Sequence, residues 1–128
     1  MFNDELVRGV FKYGPFNSDG DHTVALGVAD GIIHVTDVYF LNSASAASHA
    51  TNYVTYTLVN GETDAAGTTV VASVSNAAAA ITANVPKRLA ITAANKAFTN
   101  GQILLFQRDE VNTDASALAA CVAVVKYI

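Results

Sequence analysis

Three of the four Asx-Gly dipeptides in this chain separate short segments that are rich in β-branched and aromatic residues. They are Asp30-Gly31, Asn60-Gly61 and Asn100-Gly101. Glycine adopts positive φ at no steric cost, and such dipeptides between β-rich segments are strong signals for tight turns. No helical period of more than a few residues competes with this pattern. The sequence therefore predicts an all-β domain, with a hairpin around Asp30-Gly31.

About seven strands are predicted between these turns. Residues 53–59 (YVTYTLV) show the clearest alternation of apolar and polar residues, with the period of two that a strand requires. The predicted strands cover residues 23–29, 32–43, 53–59, 68–74, 85–92, 102–108 and 119–127. Residues 75–84, with four consecutive alanines, fit either one helical turn or a long loop. Strands at this spacing are typical of a β-sandwich or a barrel.

Residues 32–41 (IIHVTDVYFL) carry apolar side chains on both faces of their predicted strand. A sheet with one face in water normally alternates apolar and polar residues. Two explanations fit: the second face meets a partner subunit or a folded-over arm, or flanking loops of the same chain cover a central strand. The composition suits a covered surface, because charged residues make up only 14% of the chain, against about 25% in typical domains.

Residues 1–22 differ from the rest of the chain, because their aromatic residues follow no clear alternation. A short helix here would be interrupted by Gly9 and by Gly14-Pro15. Aromatic side chains are costly to leave in water. The later strands already supply a self-sufficient set of alternating residues, so we expect an N-terminal arm (1–22) beside a sandwich domain (23–128). The arm is predicted to bind a neighbouring subunit through Phe2, Phe11, Tyr13 and Phe16.

Charge and targeting signals narrow the possible partners. The net charge of −4 argues against nucleic acid, since phosphate binding requires clustered Lys and Arg. Only Lys87 and Arg88 are adjacent, and such a pair is typical of a solvated strand end. No segment approaches the roughly 20 apolar residues of a membrane-spanning helix, and the acidic N-terminus lacks the pattern of a signal peptide. We therefore expect neither nucleic acid nor a membrane as partner.

Candidate residues for metal binding are few. His22, His34 and His49 are spaced too widely for a zinc site. Cys121 is the only cysteine, which excludes an intramolecular disulfide and indicates a small buried residue. Residues 17–21 (NSDGD) place oxygen-bearing side chains as a calcium loop does, but the twelve-residue pattern fails at its sixth and twelfth positions. We expect no metal site and no cofactor.

Catalytic motifs are also missing from the sequence. The adjacent carboxylates Asp109 and Glu110 would need an aromatic-lined cleft to act on a sugar bond, and the chain has no tryptophan. Neither a nucleophile elbow nor a Cys/His signature is present. We expect a protein that binds and packs, not an enzyme.

Two neighbouring predicted strands carry a resemblance to a known family. Residues 33–42 (IHVTDVYFLN) and 52–61 (NYVTYTLVNG), with 67–72, 86–92 and the C-terminal strand, resemble the small head decoration (cement) proteins of tailed bacteriophages, over residues 23–128. The resemblance implies a β-sandwich of jelly-roll type, with seven to eight antiparallel strands. It implies a homo-oligomer, a trimer in such proteins, that assembles in the host cytoplasm and sits on the capsid surface of the virion.

The same resemblance implies a partner and a role. The partner is the major capsid protein, whose lattice the protein stabilises, with a terminal arm that clamps neighbouring shell subunits. The family has no catalytic signature, so no site residue is carried over.

An alternative hypothesis is a carbohydrate-binding module on a virion or tail, which would use Asp19, Asp21, Asn112 and Asp114, with or without calcium.

Overall fold

The computed structural model describes residues 9–112 and 117–128. These residues form two antiparallel sheets that pack face to face, which confirms the predicted all-β sandwich. The strands are β1 (Gly9–Ser18), β2 (His22–Val28), β3 (Ile33–Leu41), β4 (Tyr53–Asn60), β5 (Thr69–Ser75), β6 (Lys87–Arg88), β7 (Ala90–Ile91), β8 (Ala97–Phe98), β9 (Ile103–Val111) and β10 (Leu118–Tyr127). A single 3-10 turn, Ala93–Asn95, separates β7 from β8.

The strands pair in a nested order. β1 pairs with β10, β2 with β9, β3 with β6 and β4 with β5, all antiparallel. The first sheet has the order β1-β10-β3-β6, with β8 also on β3, and the second has the order β2-β9-β4-β5-β7. The chain therefore follows the course of one long hairpin whose successive strand pairs go alternately to the two sheets.

The turn at Asp30-Gly31 does not form the predicted hairpin, because β2 and β3 belong to opposite sheets. Gly31 has φ of 74°, and its N–H donates to Oδ1 of Asn100, at 2.9 Å. This hydrogen bond therefore joins the Asp30-Gly31 turn to the Asn100-Gly101 turn at one end of the sandwich. The Asn60-Gly61 turn does begin the connection between two paired strands, β4 and β5.

The predicted strand at residues 85–92 is also wrong as one element. It is divided into β6, which pairs with β3 in the first sheet, and β7, which pairs with β5 in the second. Between them, Leu89 is 4% exposed and lies in the core. The chain crosses from one sheet to the other here, and an alternating pattern alone does not reveal such a crossing. Ser75 is the last residue of β5, and residues 76–84 form a loop with one isolated bridge between Ala46 and Ile81.

An aromatic cluster occupies the centre of the core. Phe40 of β3 lies 4.5 Å from Tyr56 of β4 and 5.8 Å from Phe106 of β9, measured between ring centroids. All three are at most 2% exposed. They come from alternate positions that point inward from both sheets, which is how two sheets share one core.

No helix among the described residues has the length or hydropathy to cross a membrane.

The structure corrects the interpretation of the N-terminal segment. Residues 9–18 are not an arm but a full-length strand, β1, whose register with β10 extends from Gly9↔Tyr127 to Ser18↔Leu118. The first predicted strand also begins earlier than expected, since β2 starts at His22. Residues 1–8, including Phe2, lie outside the described part of the chain.

The alternation in β1 is hidden by an irregularity at Gly14. The register with β10 shifts between Tyr13 and Phe16. Gly14 has φ of 131°, and a Cβ there would lie 2.3 Å from the backbone oxygen of Cys121. A bulge changes which face the following side chains point to, so the strand did not show one continuous period of two.

Candidate functional site

The described residues offer no metal-binding group. Within residues 9–112 and 117–128, no cluster of three or more His, Cys, Asp and Glu side chains could hold an ion. His22 stacks on Phe16 with 6.3 Å between ring centroids, and Nδ1 of His49 accepts from the backbone N–H of Asn52, at 2.9 Å. His34 lies on a third element, β3. Each of the three histidines therefore belongs to a different part of the sandwich.

Cys121 and the acidic pair are placed in ways that do not favour catalysis. Cys121 is fully buried on β10, and burial raises the pKa of its thiol to about 12, so the nucleophilic thiolate is scarce at neutral pH. Asp109 and Glu110 are successive strand residues and point to opposite faces. Oε1 of Glu110 accepts from Nη1 of Arg108, at 3.2 Å, whereas Asp109 is exposed. The two carboxylates do not converge on one substrate position.

The residues of the carbohydrate hypothesis support the local loops. Oδ1 of Asp19 accepts from the N–H of Gly20, at 3.0 Å, and Oδ1 of Asp21 accepts from the N–H of Glu110, at 2.9 Å. Nδ2 of Asn112 donates to the carbonyl of Thr51. Asp114 lies outside the described residues. These contacts brace the loops and do not by themselves form a sugar site.

The outer face of the first sheet carries the most distinctive group of side chains. Successive register partners across four strands form one row, which consists of Lys12, Val124, Tyr39 and Arg88. The next row consists of Val10, Lys126 and Asp37. Directly opposed residues point to the same side of a sheet. The intervening residues Val38 and Val125 are buried in the core, so these two rows point outward.

We call Lys12, Asp37, Tyr39, Arg88 and Lys126 the cationic face. Cζ of Arg88 lies 4.9 Å from the centroid of the Tyr39 ring, and Nζ of Lys126 lies 5.7 Å from it. Nη1 of Arg88 donates to Oδ2 of Asp37, at 2.5 Å. Cation–π contacts are worth about 0.5–1 kcal/mol at exposed sites. Tyr39 and Asp37 therefore hold Arg88 in place while its side chain remains 57% exposed.

This face has a charge opposite to that of the whole protein. Three of its residues are basic and one is acidic, so it carries a net charge of +2 on a chain whose net charge is −4. The exposed valine Val10, 46% exposed, lies in the same row as Lys126. A tyrosine, an arginine and an apolar side chain are the residue types that protein interfaces favour. The arrangement can bind an anionic surface but has no group placed for chemistry.

The predicted interface residues are placed differently. Phe11 and Phe16 pack against the core, and Tyr13 is 39% exposed. The sequence pattern did not mark Tyr39 as a functional residue, and it placed Arg88 in a pair typical of a solvated strand end. Only the pairing of β3 with β6 and β10 brings Tyr39, Arg88 and Lys126 together.

Comparison with protein-family models, with curated proteins and with solved structures found no match for this chain.

Proposed function

We propose that this chain is a viral structural protein that decorates a capsid and stabilises it by binding. In this proposal it is a jelly-roll sandwich that forms homo-oligomers, as trimers like those of the family it resembles, and it attaches to the lattice of the major capsid protein. The nested strand order carries the proposal. A jelly roll has eight strands in two sheets and is used by viral capsid proteins and lectin domains, and the nested pairing of the strands over two sheets supports this part of the proposal.

Because one fold serves many functions, the surface has to support the assignment. The cationic face presents a preorganised tyrosine and arginine, residue types enriched at binding hot spots. Val28 and Ile32, beside the β2–β3 turn, are 54% and 64% exposed. These features suit a protein that contacts other protein surfaces.

The proposed mechanism is mass action. A protein that binds only the assembled lattice stabilises it by RT ln(1 + [L]/Kd), about 2.7 kcal/mol when the free protein is at 100 times its Kd. No catalytic step is needed. The carbohydrate-binding alternative has less support, since the chain has no tryptophan to form an aromatic platform for a sugar.

A binding assay with capsid shells tests this proposal. Purified protein is mixed with undecorated shells of the major capsid protein from the same virus, and the pellet is quantified after sedimentation. We expect saturable binding and a higher temperature of shell disruption. A folded protein that does not sediment with the shells would contradict the proposal, and binding to an array of glycans instead would favour the carbohydrate hypothesis.

A further inference from the structure

Carboxylates collect at a second place on the molecule, where the β1–β2 turn meets the end of β9. We call Asp19, Asp21, Asp109 and Glu110 the acidic end. The hydrogen bond from the Glu110 N–H to Asp21 links the turn to the strand. Arg108 donates to Glu110 and to the carbonyl of Gly20, but its side chain is only 1% exposed, so the positive charge lies inside. Glu110 is paired with this buried arginine, whereas Asp19, Asp21 and Asp109 are exposed and make the surface of this end anionic.

The two surfaces hold half of the described basic residues and half of the described acidic residues, respectively. The described residues contain six Lys and Arg and eight Asp and Glu. Three of these six basic residues lie on the cationic face, together with only one of the eight acidic residues. Four of the other acidic residues form the acidic end. The cationic face belongs to the first sheet, and the end of β9 belongs to the second, so one copy can present both surfaces at once.

We infer that the cationic face of one copy binds the acidic end of the next copy. This inference rests on the homo-oligomer of the proposed function and names the surfaces that form it. A two-fold contact between two cationic faces would oppose net charges of +2, and a contact between two acidic ends would oppose carboxylates. Like charges across an interface suppress association. Only the head-to-tail contact brings opposite charges together.

A head-to-tail contact is the kind of contact that builds cyclic oligomers. Heterologous contacts, in which different patches meet, generate rings when the rotation closes, and a trimer is the smallest ring of this kind. On the cationic face, Arg88 is already oriented by Tyr39 and Asp37. A side chain that is held in its bound conformation loses less entropy on association. Tyr39 and Arg88 are therefore the central contacts of the inferred interface.

Charge-reversal variants test the inference. The face variant carries Lys12→Glu and Lys126→Glu, and the end variant carries Asp19→Lys and Asp109→Lys. Two further double variants make the same charge changes elsewhere on the surface: Lys87→Glu with Lys96→Glu, and Asp30→Lys with Asp64→Lys. Thermal melting first establishes that every variant is folded. Self-association is then measured by sedimentation velocity at low salt and in about 1 M NaCl, where the Debye length falls to about 3 Å.

We expect the wild type to associate at low salt and less strongly at high salt. The face variant and the end variant should each weaken self-association at least tenfold, whereas the two control variants should associate as the wild type does. An equimolar mixture of face and end variants should recover association, because the end variant presents an unaltered cationic face to the unaltered acidic end of the face variant.

The outcomes separate the inference from the proposed function. If the wild type associates but the face and end variants associate equally well, the oligomer uses other surfaces, and the inference fails while the homo-oligomer stands. If both variants dissociate but their mixture does not recover, the two surfaces do not bind each other and the inference also fails. If the wild type is monomeric at low salt, both the inference and the homo-oligomer of the proposed function are wrong.

Discussion

Replacing Phe11 with alanine should destabilise the whole sandwich, because β1 is a strand of the domain. Phe11 packs against Tyr127 of β10, with 5.1 Å between ring centroids. It also lies directly over Gly27 of β2, where an added Cβ would be 2.6 Å from the Phe11 ring. One side chain thus connects the edge strand of the first sheet with the edge strand of the second. Its removal would leave a gap between the sheets at this side.

The expected cost follows from the burial of the ring. Truncating a fully buried phenylalanine costs about 3–5 kcal/mol. Phe11 is partly buried and lies at a sheet edge, where neighbours can relax, so we expect about 2 kcal/mol, including the loss of the aromatic pair. For a domain of this size, that corresponds to a fall in Tm of roughly 6–10 °C. Val10→Ala is the matched control, because Val10 is 46% exposed, and it should cost less than about 0.5 kcal/mol.

Urea unfolding measures both variants. The chain has no tryptophan, so the transition is followed by far-UV circular dichroism and by tyrosine emission. The two probes should give coincident transitions, with a lower midpoint for Phe11→Ala and an unchanged m-value. If Phe11→Ala were no less stable than Val10→Ala, β1 would not belong to the cooperative unit, and the interpretation of this segment as a separate arm would be restored.

Three further substitutions or treatments test the core. Because burial raises the pKa of Cys121 from 9.0 to about 12, the folded protein should resist iodoacetamide near neutral pH and should react once it is unfolded. The protonated thiol contributes stability that is complete below pH 9.0 and is lost as the pH rises toward 12, and urea unfolding at a series of pH values measures this loss. Arg108→Ala should cost about 3 kcal/mol in urea unfolding, because it leaves a cavity and removes the hydrogen bonds from the buried guanidinium to Glu110 and to the Gly20 carbonyl. The exposed neighbour Asp109→Ala should change stability by less than about 0.5 kcal/mol. Asn76→Ala should cost about 2–3 kcal/mol in urea unfolding, since the buried Asn76 amide makes hydrogen bonds to the backbone of Val54 and of Ala47. The same change at the partly exposed Asn52 is the control and should cost less than about 0.5 kcal/mol.

The sequence predicted most strands because their pattern is local. Predicted strands at 53–59 and 119–127 lie within β4 and β10, and the prediction at 32–43 contains β3. Burial of one face imposes the alternation, so the residues record it directly. The strand at 9–18 was not predicted, since the register shift beside Gly14 divides its alternation into two short parts.

The sequence did not predict that the residues of the cationic face lie together. Tyr39, Arg88 and Lys126 lie on three strands that are far apart in sequence, and each has an ordinary neighbourhood along the chain. Their contacts exist only because β3 lies between β10 and β6 in one register. A register shifted by one residue would turn these side chains into the core.

The secondary structure class, most of the strands and the side chains that point inward follow from the order of the residues. The tertiary structure alone decided which strands pair, that β2 and β3 lie in opposite sheets across the Asp30-Gly31 turn, and that β1 belongs to the sandwich. The physical reason is that every strand offers the same backbone donors and acceptors to any neighbour. Local alternation selects a face, whereas the choice of partner requires all the inner faces to be buried together.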